Sequence, residues 1–139
     1  MSWDVTIYRF PRDIETVVQL ADDFKPPAIA PRAEVAQSLK RLFPDADISD
    51  LSWLVLNGQG YKIEINMGRK EPCDGFTLDV RGSDRALNAV TQIALNFEAR
   101  AFDMTACQFL DRMSNPASGF QQWRKYTRRV SGAAQHTGA

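Results

Sequence analysis

Residues 60–68, "GYKIEINMG", alternate polar and apolar side chains almost without a break. Successive strand side chains point to opposite faces. Tyr61, Ile63, Ile65 and Met67 therefore share one side of an extended chain, and Lys62, Glu64 and Asn66 the other. "FTLDVRG" repeats the pattern, with Phe76, Leu78 and Val80 against Thr77, Asp79 and Arg81. Upstream, "SWLVLN" and the glycine-bearing turn "GQG" complete a hairpin with the first of these strands. Three consecutive strands of this kind make an antiparallel meander with one apolar face, and that face needs a cover.

Two helical segments can supply it. In "PRAEVAQSLKRLF", Pro31 suits the first helical position and Val35, Leu39 and Leu42 form a stripe, with Ala36 and Phe43 beside it. Pro44 then stops the helix, and "PDADISD" follows as an acidic loop. In "SDRALNAVTQIALNF", Ser83 or Asp84 is placed to cap, and Leu87, Val90, Ala94 and Phe97 make the buried stripe.

"SWDVTIYRF" reads as a first strand over residues 3–9, and "ARAFDM" as a last one. Asp13 is positioned to cap a short helical turn through Glu15 and Val17. The three prolines of "DDFKPPAIAP" favour an extended crossing. "NPASGFQQWRKYTRRV" is expected to close as a helix, with Asn115 as cap, Pro116 in the first turn, and Phe120, Trp123, Thr127 and Val130 on one side.

The resulting order is β-α-β-β-β-α-β-α. It implies an α+β fold, a mainly antiparallel sheet of about five strands with helices packed on one face. One domain is expected over residues 1–131, and a disordered tail over 132–139. Lys62, Glu64, Asn66, Thr77, Asp79 and Arg81 would share the uncovered face. They are either a solvated surface of opposite-charge cross-strand pairs or a surface that meets a partner.

The chemistry-bearing residues exclude more than they propose. The single histidine, His136, falls in the expected tail, so no imidazole base is at hand for Cys73 or Cys107. The cysteines match no zinc spacing and are expected as reduced thiols of a cytoplasmic protein, since no signal-like or membrane-spanning run occurs. Asp45, Asp47 and Asp50 superficially resemble a calcium loop. Asp50 and Leu56, however, stand where that loop requires glycine and glutamate. "GQG" lies between two strands, not between strand and helix as a dinucleotide site needs. At "VRGSD" the helix N-terminus could hold an anion, but Asp84 sits where the anion would go. No catalytic residue, metal ligand or cofactor is assigned.

Charge is unevenly spread. Residues 1–111 hold all 17 acidic and 12 basic side chains, a net −5. Residues 112–139 hold Arg112, Arg124, Lys125, Arg128 and Arg129 and no acid, a net +5. Four of these cations, with Trp123 and Tyr126 adjacent, raise nucleic-acid binding as one alternative. Docking of the basic segment on its own acidic body is the simpler explanation. A hydrolase using Glu64 or Asp79 is a second alternative, in which one carboxylate would be the general base.

Taken together, "MSWDV", "GQGYKIEINMG", "FTLDVRG", "FDMTACQFLD" and "GFQQWRKY" resemble a widespread group of small single-domain bacterial proteins of unassigned biochemical activity. The likeness runs from Met1 to about Val130. It implies a cytosolic role as the immunity partner of a polymorphic or contact-delivered toxin. It carries over no catalytic residue. A non-enzymatic protein-binding domain is the reading that results. Its candidate surfaces are the sheet face named above and the loop at Asp45, Asp47 and Asp50.

Overall fold

The computed structural model describes residues 3–112. In chain order these form β1 (Trp3–Tyr8), α1 (Arg32–Leu42), β2 (Trp53–Gly58), β3 (Tyr61–Asn66), β4 (Gly75–Gly82), α2 (Arg85–Asn96), β5 (Arg100–Asp103) and β6 (Gln108–Phe109). The strands make one six-stranded sheet in the order β2-β3-β4-β1-β5-β6, and every pairing is antiparallel. The fold is α+β, as the element order implies. Its additional strand, the two-residue β6, comes from "CQFLD", too short to show a period. The expected third helix and the tail at 132–139 lie outside the described residues.

The core sits between the sheet and the two helices. Val5, Ile7, Leu54, Leu56, Ile63, Ile65, Leu78 and Val80 are buried on the sheet side. Val35, Ala36 and Leu39 of α1 and Ala89, Val90 and Ile93 of α2 are buried against them. Burying one large aliphatic side chain stabilises by roughly 1.5–3 kcal/mol, so this layer dominates the folding free energy. Of the expected α2 stripe, Val90, Ala94 and Phe97 are buried and Leu87 only partly so, and Ala86, Ala89 and Ile93 widen the buried side. Small alanines let that side of α2 approach the sheet more closely than Leu87 would.

Helix starts differ from the local expectation because distant groups satisfy them. Pro31 is the N-cap of α1 and not its first helical residue. The Arg32 amide donates to Glu71 Oε1 at 2.9 Å, across from the β3–β4 connection. A free first-turn N–H is thus paired by a side chain 39 residues away. At α2, Asp84 holds the N-cap position in helical geometry without a side-chain capping bond. Ser83 Oγ instead accepts the Arg85 amide at 3.4 Å. The turn expected after Asp13 is a 3-10 turn at Val17–Gln19 with Thr16 as its N-cap. There the Gln19 side chain reaches back to accept the Glu15 and Thr16 amides.

Among the described residues, part of the opposite sheet face is covered too. Tyr8, Phe10, Phe24, Phe102 and Phe109 form an edge-to-face and stacked chain, with Phe10 and Phe109 centroids 5.0 Å apart and Phe102 and Phe109 5.3 Å apart. Phe102 and Phe109 are register partners, and Thr6 pairs with Phe102, so this cluster lies on the face away from α1 and α2. Residues 9–24 fold back over the β5–β6 end. Arg100 secures them. Its guanidinium is buried 3.8 Å above the Phe109 ring and donates to the Asp111 carboxylate twice, each at 2.8 Å. It also donates to the Pro11 and Ile14 carbonyls.

Candidate protein-binding face

Sheet register places the six expected face residues in three directly opposed pairs: Lys62 with Arg81, Glu64 with Asp79, and Asn66 with Thr77. They do share one face, beside the aromatic cluster. The opposite-charge cross-strand pairing expected for a solvated face is absent here. Cation opposes cation and carboxylate opposes carboxylate. β1 extends the middle row, because Asp4 pairs with Asp79 on its other side. The face is therefore banded. A basic row of Lys62 and Arg81 lies beside an acidic row of Glu64, Asp79 and Asp4. A neutral row follows, with Asn66, Thr77 and Thr6.

The ion pairs run along the strands. Lys62 Nζ lies 3.8 Å from Glu64 Oε1, and Arg81 Nη2 lies 3.8 Å from Asp79 Oδ2. Both contacts are long, and exposed pairs of this kind contribute roughly 0–1 kcal/mol. The cations stand out, 48% and 54% exposed, above carboxylates that are 22% and 25% exposed. Asp79 Oδ1 is buried without a hydrogen-bond partner. Directly opposed like charges weaken a sheet. The cations along each strand offset part of that repulsion.

Glycines fix the basic end of the bands. Gly82 has φ +112°, and a Cβ there would lie 2.3 Å from the Gly60 carbonyl oxygen. That close approach lets Ser83 donate its amide to Gly60 at 2.8 Å, joining the β2–β3 turn to the end of β4. Arg85 reaches the same turn, donating to Gln59 Oε1 at 3.0 Å.

The acidic loop is placed elsewhere, on the outer edge of the sheet. Asp47 forms a two-hydrogen-bond bridge to Val55 of β2, so the loop covers the backbone of that edge strand. Asp47 Oδ1 accepts from the Ser49 amide and hydroxyl, and Asp50 Oδ1 from those of Ser52. These hydrogen bonds hold both carboxyls below the ordinary aspartate range. Asp45 is exposed beside them. Asp47 and Asp50 thus shape turns while remaining exposed.

A cleft of about 250 Å³ opens next to the neutral row, lined among others by Tyr8, Asn66, Lys70, Asp74 and Thr77. Gly75 makes room for it, since a Cβ there would strike the Tyr8 ring. Lys70 and Asp74 pair at 2.6 Å across its rim, and Asp74 raises the lysine pKa. Burial first, and Asp74 next, push the Tyr8 hydroxyl up. Sequence reasoning passed over this cleft because it joins residues from three separated strands and one loop. Glu64 and Asp79 do not line this cleft.

Cys73 and Cys107 are free, the first buried and the second exposed. Among the described residues, no three His, Cys, Asp or Glu side chains are grouped to hold a metal ion. Likewise, no helix among them is long and apolar enough to cross a membrane. The basic positions Arg124, Lys125, Arg128 and Arg129 lie outside the described residues. Comparison with protein-family models, curated proteins and solved structures gives no match to this chain.

Proposed function

We propose that this protein works by binding another protein through the banded outer face of its sheet. The observation that carries this reading is the opposition of Glu64 to Asp79 and of Lys62 to Arg81. A sequence shaped for folding alone would exchange charges between the rows, since opposite pairs stabilise where like pairs destabilise. Local conflicts of this kind are expected where a surface serves recognition. A partner with a basic band set beside an acidic one would relieve both rows at once and fix its own register.

The finer role we propose, neutralisation of a bacterial toxin by a cytosolic immunity protein, rests on the resemblance of the sequence phrases. Such a role needs a stable scaffold and a complementary surface, and no reaction. Co-expression with the product of the neighbouring gene tests it. Rescue of growth and co-purification are expected; failure of both would sink the role. Glu64→Lys and Asp79→Lys should then abolish rescue while the protein stays folded. Loss of one partner from a buried interfacial charge pair costs roughly 2–5 kcal/mol, about 30- to 5,000-fold in affinity. Reversal at Asp45, Asp47 and Asp50 is the competing arm. If only those changes break the complex, the edge loop binds and the sheet face does not.

A further inference from the structure

We propose that the cleft beside Tyr8 is a binding site for a small organic carboxylate with a flat apolar body. Three observations point to this ligand class. The wall is fixed in advance, its polar groups are mostly donors, and its charge is positive.

The wall is the β3–β4 connection, and it is held from outside. Gly68, at φ +65°, turns the chain away from β3, and Arg69 and Lys70 follow along the cleft. Arg32 Nη1 donates to the Gly68 carbonyl at 3.0 Å, and the Arg32 amide donates to Glu71. Further on, Cys73 exchanges backbone hydrogen bonds with Ala30. The start of α1 and the residues before it thus brace the connection, and ligand sites are usually preformed in this way. On the other side the Tyr8 ring lies against Gly75, where any side chain would strike it. That ring, with buried Met67 and Phe76, supplies the apolar lining. A volume of about 250 Å³ falls just under that of drug-sized sites, about 300–1,000 Å³. It suits one ring and one charged group.

The polar lining selects the charge. Asn66 Oδ1 accepts the Gly68 amide at 3.1 Å, which leaves its Nδ2 to donate. Burial and Asp74 push the Tyr8 hydroxyl up, so it keeps its proton and can donate too. Thr77 adds a second hydroxyl. The carboxylate in the lining, Asp74, is already engaged, with Oδ2 2.6 Å from Lys70 Nζ. Arg69 is exposed, and its side chain has no partner among the described residues. Two cations against one carboxylate leave a net positive charge. A cationic ligand would have to displace Lys70 from Asp74 and approach Arg69. A carboxylate meets a free guanidinium, whose fork matches it, and neutral donors beside it. The site uses no residue of the charged rows, so it stands or falls apart from the protein-binding function proposed above.

The test titrates the isotope-enriched full chain with benzoate, benzamide and benzylammonium at constant ionic strength, read by amide chemical shifts. Benzoate should shift Asn66, Gly68, Lys70, Gly75 and Thr77 saturably. A ligand this small should have a Kd of about 1 mM. Benzamide, which keeps the ring and loses the charge, should bind about tenfold more weakly or worse, as a charge-assisted hydrogen bond predicts. Arg69→Gln should weaken benzoate by about tenfold as well, and its dispersed spectrum would show that the domain remains folded. Three results would overturn the proposal. One is the lack of saturable shifts at about ten times that Kd. Another is benzylammonium or benzamide binding as tightly as benzoate. The last is shifts centred on Lys62 and Arg81 and untouched by Arg69→Gln, which would mark general attraction of anions to the surface.

Discussion

Glu64 and Asp79 face each other directly across β3 and β4, each tied by a 3.8 Å ion pair to a cation two residues along its own strand. Their coupling should be repulsive. A double-mutant cycle with Glu64→Gln and Asp79→Asn, read by urea unfolding, is expected to give an unfavourable interaction of about 0.2–1 kcal/mol. It should shrink as salt is added. A favourable coupling would remove the physical argument for a recognition face. The control lies one residue away on the core side, where Ile63→Asp or Leu78→Asp should unfold the domain.

Arg100 and Asp111 make the second prediction. Arg100→Leu strands the Asp111 carboxylate and the Pro11 and Ile14 carbonyls, which Arg100 now satisfies. A loss of about 2–4 kcal/mol is expected, at the lower part of the range because Asp111 is half exposed. The Arg100 hydrogen bonds hold the Asp111 carboxyl below its usual range. Its folded pKa is depressed, so the unfolded chain binds the proton more readily. The associated stability is present above the unfolded value of about 3.9 and is lost as pH falls below it toward the folded value. Asp111→Asn should flatten that part of the stability profile. An unchanged acid limb would refute the assignment.

Glycine positions should separate by their surroundings. Gly82→Ala meets both a positive φ and the Gly60 carbonyl, and should cost about 1–3 kcal/mol. Gly68 also has positive φ, +65°, but open space around it, so Gly68→Ala should cost about 1 kcal/mol, the conformational term alone. Equal losses at the two sites in thermal unfolding would contradict the close approach at Gly82.

The two thiols should differ in reactivity. Cys107 is exposed, whereas Cys73 is 1% exposed and donates its S–H to the Gly75 carbonyl at 3.3 Å. Burial pushes the Cys73 thiol up, away from the reactive thiolate. Ellman's reagent should therefore titrate one thiol per native chain quickly and the second only as urea unfolds it. Two fast thiols in the native protein would show that the Cys73 region opens.

Alternation in the sequence determined which residues of β3 and β4 are core and which face outward, because side chains of a strand alternate and apolar burial enforces the choice. It likewise determined the α+β class and the two helices that cover one face. It could not determine who sits opposite whom. A register shift of two residues leaves every side chain on its own face and every apolar residue in the core. Such a shift would replace the Glu64–Asp79 opposition with neutral or opposite-charge neighbours. The close contact of Gly60 with Gly82 selects among these registers, and it forms only when the β2–β3 turn and the end of β4 meet. The same holds for β1. Its insertion between β4 and β5 adds Asp4 to the acidic row through contacts 75 residues apart in the chain, a distance over which no local period carries information.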